Sequence, residues 1–206
     1  VEDYALFMAL ADSAHGAHWA AWPLPLRHRE PAAIQAEMRE RAVVMRFWRF
    51  VQWNFDRQWQ QIKRYANERG VRLIGDVPIF CAYDSVDVWV DPQLFELDEM
   101  LQPTVVAGVP PDYFSATGQL WGNPLYHWGR HAEDGFLWWR ARMASMLRQA
   151  DIVRIDHFRG LVAYWEIPAG APDAIGGRWV PGPGAPFFEA LRETLGALPI
   201  IAEDLG

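Results

Sequence analysis

Three acids close three short apolar runs: Asp76 follows Leu73-Ile74-Gly75, Asp156 follows Ile152-Val153-Arg154-Ile155, and Glu203 follows Ile200-Ile201-Ala202. Side chains on an extended strand alternate between faces, so Arg154 and Asp156 share one face while Val153 and Ile155 take the other. A guanidinium beside a carboxylate favours its ionised form, the state a nucleophile needs at neutral pH. The same two residues also read as a structural ion pair inside a sheet, and the residues alone leave both readings open. Glu203 shares its face with Ile201, opposite Ile200 and Ala202, and is expected to project from an apolar surround that disfavours its charge. A carboxyl kept protonated in that way serves as a general acid; a plain polar strand end is the alternative. Two carboxyl groups whose surroundings pull their proton affinities apart are what retaining sugar chemistry uses. One attacks the anomeric carbon while the other protonates the departing oxygen and then reverses role. Asp76 would sit at the rim, where it could bond sugar hydroxyls, orient Arg154 or simply cap a loop. His157 either donates to substrate oxygens or packs behind the site, and Asp204 is expected to face away as a cap or ion-pair partner.

Other chemistries are poorly served. His127 and His131 stand four apart and His15 and His18 three apart, yet neither pair has a third ligand in reach along the sequence, so no metal site is expected. The patterns Gly-x-Ser-x-Gly, His-Glu-x-x-His and Gly-x4-Gly-Lys-Ser/Thr do not occur. A formal net charge of -7 argues against a phosphate-binding footprint, so no nucleic-acid partner is expected and a neutral polar substrate fits better. Cys81 is the only cysteine, cannot make an internal disulfide and is expected to pack as a small hydrophobe, which suits a reducing cytoplasm. No 18-residue apolar run and no signal-peptide pattern appear, so no membrane partner is expected. The twelve Trp exceed what a core of this size needs; some are expected to line a groove, as sugar clefts use such rings as platforms, though cores and interfaces collect Trp too.

The elements that must position these acids are legible as periodicity. From Pro31, apolar residues recur every three or four positions through Ile34, Met38, Met45, Trp48, Phe55 and Ile62 to Ala66, which predicts one long helix or two joined end to end, stopped at Gly70. Residues 71–80 then read as a strand. The helix-then-strand order returns in 136–150 followed by 151–156, and in 186–195 followed by 198–203. Apolar strands joined through helices predict an α/β fold with a parallel sheet, either doubly wound or closed into a barrel. Acids at the strand ends match the barrel, whose active site lies at the carboxyl ends of its strands; no Gly-x-Gly-x-x-Gly follows a strand as a dinucleotide-binding sheet requires. Residues 82–135, rich in Pro, Gly, Trp and Tyr, are too long for a plain connection and are expected to form a substrate loop. The expected division is a helical region over 1–70 and the central part of a barrel over 71–206. The Gly-rich segment 176–184 reads as a connection only.

The ordered series Gly75-Asp76-Val77-Pro78-Ile79-Phe80, Asp84-Ser85-Val86-Asp87-Val88-Trp89, Gly108-Val109-Pro110-Pro111-Asp112-Tyr113-Phe114-Ser115, Gly118-Gln119-Leu120-Trp121-Gly122-Asn123-Pro124, Arg154-Ile155-Asp156-His157-Phe158-Arg159-Gly160 and Ala202-Glu203-Asp204-Leu205-Gly206 resembles the 4-alpha-glucanotransferases, the amylomaltases or disproportionating enzymes of glycoside hydrolase family seventy-seven. The resemblance runs nearly end to end, and it covers only the middle of a far longer family member. It implies a partial (β/α)8 barrel of the alpha-amylase clan with helical and loop insertions. It further implies Asp156 as nucleophile, Glu203 as acid/base, Arg154 as the support of the nucleophile and Asp76 as a substrate-side acid. Tyr113, Phe114, Gln119 and Trp121 match a loop that arches over the cleft, with Asn123 and His157 also toward the substrate; Phe114 and Trp121 packing within the insert is the other reading. The implied substrates are maltodextrins and starch or glycogen-type alpha-1,4-glucans, with no cofactor. A third family carboxylate would lie beyond Gly206, so the stretch by itself is expected to be inactive. A hydrolase of the amylase clan and a glucan-binding domain with a dead site are the competing readings.

Overall fold

A computed structural model describes residues 1–203; the expectation for Asp204 lies outside them. The chain divides into two compact units, Val1–Ile62 with Asp84–Pro92, and Lys63–Tyr83 with Gln93–Gly206. The first holds α1 (Glu2–Ser13), α2 (Leu24–Arg27), α3 (Pro31–Glu40), α4 (Ala42–Asn67) as far as Ile62, and α5 (Val86–Val90). The periodic stretch from Pro31 is thus two helices, interrupted at Arg41. Several of the Trp residues serve the core of this unit: fully buried Trp89 packs against Phe7 and Trp22 at 5.7 and 5.5 Å, and its indole N–H is satisfied by Leu26 O at 2.9 Å. Arg29 lies over its ring.

The second unit begins with the end of α4 and continues with β1 (Ile74–Pro78), β2 (Val105–Val109), β3 (Gln119–Pro124), α6 (Trp128–Glu133), α7 (Leu137–Gln149), β4 (Ile152–Asp156), β5 (Ala163–Pro168), β6 (Arg178–Pro181), α8 (Ala185–Leu195) and β7 (Ile200–Ala202). β1, β4 and β7 form a parallel sheet in the order β1-β4-β7, each entered from a helix. The alternation expected of β4 holds: Val153 and Ile155 are fully buried while Ile152, Arg154 and Asp156 are not. Gly75 lets β1 approach α7, since a Cβ there would meet Ala150 Cβ at 2.8 Å.

Lys63 and Asp151 tie these elements together. The Lys63 ammonium donates to Leu147 O, Arg148 O and Ala150 O at 3.2, 3.2 and 2.9 Å, closing carbonyls at the end of α7 that have no partner within the helix. Asp151 accepts from Leu73 N and from Asn67 Nδ2, each at 2.8 Å. The Leu73 N–H, opposed by burial and helped by Asn67 and Lys63, holds the Asp151 carboxyl below the usual carboxylate range. These contacts join the end of α4, the start of β1 and the turn into β4, so Ile74 stands level with Ile152.

Residues 82–135 are not only loop. β2 and β3 pair antiparallel within them, and β2 recruits β5, giving a second sheet in the order β3-β2-β5-β6. The Gly-rich connection likewise carries a strand, β6. Exposed polar positions and Gly, Pro or a bulge within β2 and β3 hide the period-2 signal there.

Buried His131 is expected to make this unit acid-sensitive. It is fully buried against the rings of Tyr126, Trp128 and Trp138. Burial pushes its imidazole down to about 4, against the pull of the Leu94 carbonyl and Asp134, with His127 adding to the lowering. Above about pH 6.5 the side chain is neutral folded or unfolded, and the contribution is complete. As pH falls toward 4 the unfolded chain takes up the proton first, and roughly 3 kcal/mol of stability is lost. Urea unfolding at pH 7 and 4.5 should show this loss, and His131→Phe should flatten it. An equal acid dependence in wild type and variant would contradict the assignment.

Candidate active site

The residues singled out by charge meet on one guanidinium. In parallel register Asp76 stands beside Arg154, and Pro78 beside Asp156, so Asp76 lies two residues short of the end of β1 and level with the arginine. Arg154 Nη1 donates to both Asp76 oxygens at 2.8 Å. Its Nη2 donates to Asp156 Oδ1 at 2.9 Å and to Glu203 Oε1 at 2.8 Å. The hydrogen bond to Asp76, opposed by burial and joined by the charges of Asp76, Glu203 and Asp156, raises the affinity of the guanidinium for its proton. With Asp156 and Glu203 each bonded to the same nitrogen, those two oxygens stand at most roughly 6 Å apart, the reach of two hydrogen bonds end to end.

Glu203 is not in the apolar surround expected from its strand. Strand pairing puts Arg154 opposite Ile201, and the arginine reaches past it to the carboxylate just beyond β7. The second Glu203 oxygen accepts from the backbone N–H of His157 at 2.6 Å. His157 adopts a left-handed backbone conformation, φ 55° and ψ 45°, which costs a non-glycine residue about 1 kcal/mol and here aims its amide at Glu203. Its imidazole is buried, with the Trp121 ring edge-on at 4.9 Å. Burial lowers the imidazole below its ordinary range, against Glu203 and Asp156 and together with Arg159, so it is neutral at pH 7.

A cavity of about 540 Å³ opens onto Asp156, His157 and Glu203, and its lining includes Phe114, Gln119 and Trp121. A smaller one of about 160 Å³, between Pro78, Phe80 and Asn123, shares Asp156, His157 and Trp121. Asn123 is anchored by donating from Nδ2 to Cys81 O at 2.9 Å. Tyr113 is 97% exposed beside Phe114, and lines neither cavity. Asp76 lines neither as well and reaches the site through Arg154. His127 and His18 are local caps, accepting from Arg130 N and Ala20 N.

Sequence reasoning passed over Asp112, Arg159 and Trp179, which also line the large cavity. Asp112 accepts from the backbone of Phe114 and Ser115 at 2.8 and 2.7 Å, shaping the loop; an Asp directly before an aromatic pair was the available signal. Trp179 was hidden by the glycines that flank it.

A family model described as 4-alpha-glucanotransferase matches residues 1–206. The chain is 53% identical over 206 residues to the 4-alpha-glucanotransferase of Thermus thermophilus, covering 100% of this chain and 41% of that protein. It is 42% identical over 206 residues to the chloroplastic/amyloplastic 4-alpha-glucanotransferase of Solanum tuberosum, covering 100% of this chain and 36% of that one. Among solved structures it superposes with TM-score 0.96 and 43% identity on amylomaltase from Streptococcus agalactiae in complex with acarbose, covering 100% of this chain and 42% of that one. The chain therefore spans about two fifths of the length of the first two curated relatives it matches.

Proposed function

Because the chain belongs to the 4-alpha-glucanotransferase family, we propose that the whole protein transfers alpha-1,4-glucan segments between maltodextrins by retaining double displacement, with Asp156 as nucleophile and Glu203 as acid/base. The parallel sheet with its helices is a partial (β/α)8 barrel of the alpha-amylase clan. The observation that carries the proposal is the single Arg154 nitrogen bonded to both carboxylates. It holds the two bonded oxygens within roughly 6 Å of each other, a range that includes the about 5–5.5 Å separation of retaining enzymes.

Asp156 attacks the anomeric carbon as Glu203 protonates the departing glycosidic oxygen, forming the ester and releasing the first product. Glu203, now a carboxylate, removes the proton from the 4-hydroxyl of a second glucan, which displaces Asp156 and restores both groups. Arg154 holds the two carboxylates in range, and Asp76 fixes the orientation of Arg154. The His157 amide holds one Glu203 oxygen, while its neutral imidazole is available to a sugar hydroxyl. Gln119, Trp121 and Phe114 line the large cavity and Asn123 the small one, which supports their contact with a glucan. Tyr113, exposed at the loop tip, would meet substrate only by movement of that loop. The acarbose held by the Streptococcus agalactiae relative supports an oligosaccharide ligand. Residues 1–206 alone are proposed to be inactive.

Product analysis on maltotriose tests the reading. The whole protein is expected to release glucose together with maltodextrins longer than the substrate. Glucose and maltose without longer products would replace transfer by hydrolysis, and no turnover would favour a glucan-binding role.

A further inference from the structure

Part of the large cavity is lined by residues that have no task in the proposed chemistry. Trp179 stands on β6, the outer strand of the antiparallel sheet, with 42% of its surface exposed, and Arg159 comes from the turn after β4. The hairpin beneath Trp179 is closely braced. Its register partner Trp165 packs against it at 5.3 Å and donates from Nε1 to Ala174 O at 2.8 Å. At Gly177 a Cβ would meet that same Nε1 at 2.2 Å, so only glycine fits there. Glu166 and Arg178 pair across the two strands at 2.6 Å. Onto the fixed indole Arg159 brings its guanidinium carbon, 4.2 Å from the ring centroid.

An indole held in this way offers apolar surface to the C–H face of a pyranose, and a guanidinium resting on it presents oriented N–H donors to hydroxyls. Asp112, Asp156 and Glu203 line the same cavity, so an anionic ligand is repelled while a neutral polyol is not. We infer that Arg159 and Trp179 form a glucosyl-binding subsite for a sugar ring of the glucan other than the one that reacts, and so determine the preference for chain length. This rests on the transfer reading above and adds to it the residues that hold the unreactive part of the substrate.

In the whole protein, Trp179→Ala and Arg159→Met are each expected to raise KM for maltoheptaose about tenfold, the equivalent of one stacked or charged contact, while kcat stays within about twofold. Trp179→Phe should recover most of the loss. Unchanged KM in both variants, or a fall in kcat with KM unchanged, overturns the subsite. Should the variants fail to fold, the unaltered protein decides: maltoheptaose is expected to slow phenylglyoxal modification of Arg159, read from the mass of its peptide, and equal rates with and without the sugar overturn the inference. Failure of the unaltered protein to lengthen maltotriose would remove the transfer reading itself, an outcome distinct from intact transfer with an indifferent Arg159 and Trp179.

Discussion

Asp156→Asn in the whole protein is expected to lower kcat for transfer from maltotriose by on the order of 10⁴-fold or more, because an amide does not form the glycosyl ester on which double displacement depends. The substitution is nearly isosteric. Asn keeps an oxygen that can accept from Arg154 Nη2 at the place where Asp156 Oδ1 does so at 2.9 Å, so the fold has little reason to change. A thermal midpoint within a few degrees of wild type, alongside lost turnover, separates this outcome from the structural ion-pair reading. Were the pair only structural, the variant would lose stability and keep most of its rate. A fluorinated glycosyl donor supplies the second readout: the peptide containing Asp156 should gain the mass of the sugar in wild type and not in the variant. Labelling of any other residue, or activity within tenfold of wild type, would remove Asp156 from the role.

The parts of this arrangement that could be read from sequence are those that depend on one strand alone. Alternation along β4 places Arg154 and Asp156 together because the opposite positions, Val153 and Ile155, go into the core. What depends on register between strands was legible only as one alternative among several, as with Asp76 orienting Arg154, or not at all. Asp76 meets Arg154 because β1 and β4 align with Ile74 beside Ile152, an alignment held by Lys63, Asn67 and Asp151, whose contacts join residues 78 to 87 positions apart. The polar setting of Glu203 has the same origin, since the residues before it in sequence are apolar and its actual partners, Arg154 and the His157 amide, arrive from the adjacent strand and the turn that follows it. The second sheet escaped for a different reason: β2 contains a bulge and Gly108, and β3 is mostly exposed, so neither shows the alternation of a half-buried strand.

Arg154→Met is the second large effect, and it acts on three carboxylates at once. Asp76, Asp156 and Glu203 carry like charge and are drawn to one place by a cation that bonds all of them within 2.9 Å. Without it, repulsion between like charges favours their separation, and the nucleophile leaves the position from which it attacks. The expected loss in kcat/KM is about 10²- to 10³-fold, the scale set by removing one preorganised charged donor or misplacing a reacting group by an ångström. Arg154→Lys tests geometry against charge. A lysine keeps the positive charge but, lacking the planar fork, cannot direct one nitrogen to Asp76 and another to Asp156 and Glu203 together. It should therefore restore only a small part of the lost rate. Full recovery of the rate by lysine would show that charge alone matters, and an Arg154→Met rate within tenfold of wild type would show that the guanidinium does not hold the carboxylates in their reacting positions.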